Sequence, residues 1–167
     1  AYVWGSNKYG QLGIKDVTSL SKPTRIESIQ ESVIAVASGR YTSYVLTNQA
    51  QLYGFGSDSY GQLATHDVIL TSNKKITPYL MNAGFDLEND EYIKEVHAGY
   101  YYAIVKTNKD NLFSFGQNSS GQLGNNSTLS TSVPQKLEYK AMLDSIDEIV
   151  DISCGQDHCL ATTKYGH

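Results

Sequence analysis

The sequence predicts an all-β fold of the propeller type, in which small antiparallel sheets of about four strands repeat around an axis. Three observations predict it. A glycine-rich motif occurs three times in the 167 residues. A hairpin-like motif alternates with it, and a single proline falls between the two each time. Ordered landmarks that recur at fixed phase mark a repeat architecture rather than a chance match.

The first motif runs from Trp4 to Gly13, Phe55 to Ala64 and Phe115 to Gly124. Its skeleton is aromatic-Gly-x-Asn/Asp-x-x-Gly-Gln-Leu-small, at spacings of 51 and then 60 residues. The second motif is Val36 to Gly39, Val96 to Gly99 and Ile152 to Gly155. Each of those last glycines stands between two apolar segments, where a tight hairpin turn belongs and where glycine supplies positive φ. Paired apolar residues precede the turn: Val33 and Val36, Ile93 and Val96, Ile149 and Ile152. Apolar, β-rich stretches follow it at Tyr44–Thr47, Ile104–Thr107 and Leu160–Thr163. The next strand carries aromatics two apart, Tyr53 with Phe55 and Phe113 with Phe115, matched by Tyr2 with Trp4. A period of two puts each pair on one face. Pro23, Pro78 and Pro134 then indicate a short outer edge strand, where a sheet tolerates proline. No long stretch shows a helical period, and Leu137 to Val150 reads as a loop. The repeat divides the chain into units 1–51, 52–111 and 112–167, together part of one propeller, with a longer loop at 82–92 in the second unit.

Composition limits the function. Hydrophobic residues are 40% and charged residues 18%, a globular balance. The net charge is −4 and the largest basic cluster is Lys74-Lys75, so no basic stripe suits a nucleic-acid partner. No apolar run approaches the roughly 20 residues that span a bilayer, and no membrane partner is expected. The acidic residues gather at Asp86–Glu91 and Asp144–Asp151. Cys154 and Cys159 make no disulfide framework, which favours a reducing, cytoplasmic compartment, with nuclear or cytoskeletal association open.

Catalytic groups are not visible. There is no Gly-x-Ser-x-Gly, and no phosphate loop ends in Gly-Lys-Ser/Thr. The glycine-rich stretches read as crossings between blades, not nucleotide cradles. His158 between Cys154 and Cys159 invites a metal reading, but a structural zinc site needs four ligands. The better reading is a hairpin histidine bonded to nearby backbone beside two small buried residues. No cofactor is expected.

The candidate site is a rim. Arg40 and Tyr41, Tyr100 and Tyr101, and Gln156 and Asp157 follow the three hairpin glycines, so the repeat should align them on one edge of the disc. Tyr and Arg are the types most often energetic at protein interfaces. Ordinary turn decoration is the competing reading. The 82–92 loop, with Asp86 and Glu88, is the other candidate, because long excursions from a rigid scaffold often bind. It reads equally as a floppy acidic loop.

The two motifs together resemble the regulator of chromosome condensation repeat family. Its hallmark is Gly-x-Asn-x-x-Gly-Gln-Leu-Gly paired with a Val-x-x-Gly-x-x-His hairpin. Gly5 to Gly13 and Gly116 to Gly124 fit the first, and Ile152 to His158 fits the second. The Gly-Gly doublet of kelch blades and the Trp-Asp of WD repeats are absent. Departures are local: Ala64 replaces a glycine, Thr42 and Tyr102 stand where His158 carries the family histidine, and Ala50 and Asp110 stand where Gly166 carries a turn glycine. The resemblance implies a ring of seven blades, of which three units would be a piece of a longer chain. It also implies a non-catalytic protein-interaction scaffold, with a protein partner such as a small GTPase or the rest of a larger complex. Such discs also sit beside ubiquitin-ligase or kinase domains. The alternative it implies is guanine-nucleotide exchange on a Ran-type small GTPase, the activity of the founding member.

Overall fold

A computed structural model describes residues 1–65, 74–143 and 147–166. Asp144 of the second acidic run and the terminal His167 lie outside them. The described residues form antiparallel sheets and almost no helix. Strands β1 (Tyr2–Ser6) and β2 (Ser19–Arg25) pair. A four-stranded meander follows: β3 (Val33–Ser38), β4 (Thr42–Thr47), β5 (Leu52–Ser57) and β6 (Lys74–Leu80). A second contains β7 (Ile93–Ala98), β8 (Tyr102–Thr107), β9 (Leu112–Gly116) and β10 (Thr131–Lys136). Strands β11 (Ile149–Cys154) and β12 (Cys159–Thr163) pair at the other end.

The sheets run out of phase with the sequence units. Each meander takes its first two strands from one unit and its last two from the next. The glycine-rich motif therefore does not cross between blades, as its sequence suggests. It joins the third strand to the outer strand of one sheet, while residues 81–92 make the crossing from β6 to β7. The prolines lie in β2, β6 and β10, the outer strands. Those strands have six or seven residues and are no shorter than their neighbours. The Leu137–Val150 loop contains a short 3-10 turn at Lys140–Met142 and the start of β11.

Alternation builds the core between blades. On β4, Tyr44 and Leu46 face the second meander, while Val45 turns to the β1–β2 sheet with Ile26, Ile29 and Phe55. On β8, Ala103 and Val105 face backward and Ile104 faces forward to Ile149 and Ile152. Phe113 and Phe115 share the backward face, and both meet Phe85 edge-on at 5.7 Å. Burying each such ring stabilises by about 1.5–3 kcal/mol. Tyr2 and Trp4, the matching pair on β1, are 65% and 61% exposed. The i, i+3 spacing of Ile93 with Val96 and Ile149 with Ile152 is explained by register shifts at Ile93/Glu95 and Ile149/Asp151. An extra residue there returns the fourth position to the buried face.

The turns after β4 and β8 keep the geometry that Gly166 adopts. Ala50 has φ +57° and Asp110 φ +55°, against +87° for Gly166. A left-handed non-glycine residue costs roughly 1–2 kcal/mol, and glycine's entropy returns part of any gain. Ala50→Gly is therefore expected to stabilise the chain by about 0.5–1 kcal/mol. A higher urea midpoint would show it, and an unchanged or lower midpoint would contradict it.

Candidate functional site

The glycine-rich loops are stiffened by two side chains each. The Asn7 Oδ1 accepts from the Leu12 N–H at 2.8 Å, and its Nδ2 donates to the Ile14 and Val17 carbonyls, both at 2.8 Å. Asn118 repeats this with the Leu123 N–H and the Ser127 and Leu129 carbonyls. Asp58 lacks donors, so the Thr65 hydroxyl donates to its Oδ2 at 2.7 Å instead. Burial holds the Asp58 carboxyl above its ordinary range, opposed by the bonds from Leu63 and Thr65. The motif glutamine folds back on the loop. Gln11 Oε1 accepts from the Tyr9 N–H at 2.9 Å, and Gln62 Oε1 from the Tyr60 N–H at 2.8 Å. Two tyrosines are thereby fixed at the same rim.

The hairpin glycines work differently from the sequence reading. Gly39, Gly99 and Gly155 are not among the positive-φ glycines. They are small because something packs on them. A Cβ on Gly39 would lie 2.8 Å from the Gly99 carbonyl oxygen, one on Gly99 would run into the Tyr102 ring, and one on Gly155 into the His158 ring. This approach lets the Arg40 N–H donate to the Tyr100 carbonyl at 3.0 Å across the blade boundary.

That contact assembles the rim. The Arg40 guanidinium carbon lies 4.7 Å from the Tyr41 ring centre, 4.8 Å from Tyr100 and 5.7 Å from Tyr101. Its Nη1 donates to the Tyr101 hydroxyl at 2.7 Å. Tyr9 stacks on Tyr41 at 4.2 Å, and Tyr60 packs against Tyr101 at 4.9 Å. Tyr41 and Tyr101 meet at 6.2 Å, and Tyr100 meets Tyr101 at 5.2 Å. The result is a continuous band of five tyrosines around one exposed arginine. Tyr9 and Tyr60 are each 42% exposed, and the others except Arg40 are half-buried. Sequence reasoning missed Tyr9 and Tyr60. The available signal was tyrosine immediately before Gly-Gln-Leu in two of three repeats.

Gln156 and Asp157 occupy the equivalent turn of the third hairpin and adjoin a different loop. Gln122 Nε2 donates to Asp157 Oδ1 at 3.4 Å, and Gln156 Nε2 to Asp157 Oδ2 at 3.1 Å. Asp86 and Glu88 are not brought to this rim. Strand β8 runs from Tyr102 at the rim to Thr107, and Glu88 pairs beyond that far end with Lys109 at 3.5 Å and with Lys136 at 3.1 Å. The bonds from Lys136 and Lys109 hold the Glu88 carboxyl below its ordinary range. The 82–92 loop is anchored rather than floppy. Phe85 and Glu91 are buried, Asn82 Nδ2 donates to the Ala50 carbonyl at 2.7 Å, and Asn111 Nδ2 donates to Glu91 at 2.7 Å. Among the described residues the His158 ring makes no side-chain hydrogen bond, so the expected bond to backbone is replaced by packing on Gly155.

Stacked antiparallel meanders, with β3 against β7 and β7 against β11, define part of a β-propeller. The chain belongs to the family of the Regulator of chromosome condensation (RCC1) repeat, whose model matches residues 1–46 and 109–162; a second model of that description matches 33–62. The chain is 34% identical over 166 residues to the human probable E3 ubiquitin-protein ligase HERC6, covering 96% of this chain and 15% of that protein. It is 29% identical to the ultraviolet-B receptor UVR8 of Arabidopsis thaliana, covering 98% of this chain and 34% of that protein. It is 30% identical to the human X-linked retinitis pigmentosa GTPase regulator over 81% of this chain and 13% of that protein. It therefore spans a minor part of each. Among solved structures, Prp20p from Saccharomyces cerevisiae superposes with a TM-score of 0.76 at 20% identity, over 96% of this chain and 38% of that one. That structure is described together with binding of Prp20p to Gsp1p and histones.

Proposed function

We propose that this segment is a non-catalytic protein-recognition module and that the Arg40–tyrosine band is its contact surface. The observation that carries the reading is the pre-organised arginine. Arg40 is exposed, stacked on Tyr41 and Tyr100, and uses one N–H on Tyr101, leaving further donors of its planar fork toward solvent. A side chain already held in place loses less entropy on binding. A second feature supports it. Among the described residues the buried Gln62 Nε2 has no partner, whereas the matching Gln122 Nε2 has Asp157. Tyr101 stands in the place of that aspartate, so an internal hydrogen bond has been exchanged for an aromatic ring at the rim. Local rules broken in this way concentrate at functional sites.

Peptides selected from a random display library on the wild-type chain test the assignment. Arg40→Ala should weaken the selected binders by about 10- to 100-fold, the range of an interface hot spot. Glu88→Gln, at the far end of the sheet, should leave them unchanged. Equal binding by wild type and Arg40→Ala would remove the band from consideration.

Membership of the Regulator of chromosome condensation (RCC1) repeat family, together with the likeness to a GTPase regulator, favours a second reading, nucleotide exchange on a small GTPase. Release of a fluorescent nucleotide from a panel of small GTPases separates the two. Acceleration by the protein would replace the scaffold reading, and no acceleration by the protein would remove the exchange reading.

A further inference from the structure

Cys154 and Cys159 end β11 and begin β12, and they are direct partners across the hairpin. Directly opposed residues in an antiparallel pair have Cα atoms about 4.5–5.5 Å apart. That range lies inside the window a disulfide accepts, about 4.4–6.8 Å. The two Sγ atoms are 3.1 Å apart, both thiols are free, and both residues are half-buried. They sit at the boundary between blades. Cys159 Sγ donates to the Tyr102 hydroxyl at 3.2 Å, and that hydroxyl donates to the His158 carbonyl at 2.6 Å.

We propose that Cys154 and Cys159 are a redox modification site that closes reversibly to a disulfide within the hairpin, with a small-molecule disulfide as oxidant. The Cys159 thiolate attacks one sulfur of the small disulfide, forms a mixed disulfide and expels one thiolate. Cys154, as thiolate, then attacks the Cys159 sulfur and expels the second. Two protein thiols are oxidised to one disulfide, and the small disulfide is reduced to two thiols, which take up the two protons. Roles divide in this order because a bond donated by Cys154 favours the Cys159 thiolate and draws that thiol below its ordinary value, against the opposing effect of burial. The Cys154 thiol is raised, first by its bond to Cys159 and then by burial. Holding the second thiol beside the first makes the closing step effectively intramolecular. The loop is short, so its closure constrains the unfolded chain little. Such a bond responds to the surrounding thiol poise rather than acting as a permanent staple. Closure removes the S–H that reaches Tyr102, the residue next to Tyr101 of the rim.

The test equilibrates the folded chain in buffers of reduced and oxidised glutathione, quenches with acid, alkylates with N-ethylmaleimide and weighs the intact protein. The wild type should pass from a doubly alkylated form to an unalkylated monomer lighter by two hydrogens, and return with excess reduced glutathione. Cys154→Ser and Cys159→Ser should each stop at a lasting glutathione adduct. A wild type that keeps the adduct, or stays doubly alkylated in oxidised glutathione, overturns the proposal. Phenylarsine oxide, which bridges paired thiols, supplies a measurement that needs no variant. One arsenical per wild-type chain, blocking both alkylations, is expected; two free thiols after treatment would also overturn it.

Discussion

Replacing Gly56 by alanine is expected to destabilise the chain by about 3–5 kcal/mol, from a strained backbone and an overpacked contact together. Gly56, the penultimate residue of β5, has φ +108°, a conformation that L side chains rarely adopt. Its register partner is Thr42. An added Cβ would lie inside the van der Waals shell of the Tyr41 carbonyl oxygen and 3.0 Å from the Thr42 Cα. Neither obstacle can rotate away, because both are backbone. They are also tied down: the Ser57 N–H donates to that Tyr41 carbonyl at 2.8 Å, and the Thr42 hydroxyl donates to the Ser57 carbonyl at 2.9 Å. Relief of the clash must therefore break bonds that seat Tyr41 and with it Arg40. Domains are stable by only about 5–15 kcal/mol. A loss of this size should lower the melting temperature by roughly 10 °C or more in a chain of this length. Calorimetry measures it directly. A variant that melts with the wild type would show that the Gly56 approach is not a structural requirement.

Gly56 also marks the boundary of what the chain reveals unfolded. The spacing of Trp4, Phe55 and Phe115, the hairpins and the outer prolines were readable, because each follows from a local rule about turns, pleat or missing donors. The reason for Gly39, Gly99 and Gly155 was not. Sequence shows that a small residue is needed, but left-handed φ and close approach demand the same residue. Only the neighbouring hairpin, supplied by the tertiary fold, decides between them. The phase of the sheets was hidden for a similar reason, since a repeat has no unique starting strand and hydrogen bonding between strands chooses one. Arg40, Tyr41, Tyr100 and Tyr101 were readable as candidates from their place after the glycines. Their union with Tyr9 and Tyr60 was not, because it joins different loops across blade boundaries. The separation of Glu88 from that rim follows from strand direction, which the motifs alone do not order in space.

The asparagine of the repeat motif makes the sharpest chemical demand, and Asn118→Asp should expose it. Asn118 is fully buried, and its Nδ2 donates to Asn125 Oδ1 at 3.0 Å, the Ser127 carbonyl at 2.9 Å and the Leu129 carbonyl at 3.2 Å. A carboxylate there keeps the bond from the Leu123 N–H but offers no donor. Rotation of the Asn125 amide can supply one donor, and two carbonyl oxygens still face the negative charge. Leaving a buried charge uncompensated costs about 3–5 kcal/mol, the expected loss near pH 7. The penalty has a pH signature. Burial among acceptors raises the folded-state pKa of the new acid above its unfolded value of roughly 3.9. The folded state then binds protons more tightly, so the variant recovers below that pH and loses stability as pH rises through the folded value. Urea midpoints of the wild type and variant should therefore diverge between acidic and neutral pH. A constant gap would mean that the carboxylate escapes to solvent. Asp58 shows why the second repeat tolerates the acid: the Thr65 hydroxyl donates where the amide would have done, whereas the equivalent Ile14 carries no donor and Asn125 can offer one only by turning its amide over. The motif letter thus encodes a donor requirement, and a repeat can change it only by placing another donor seven residues later.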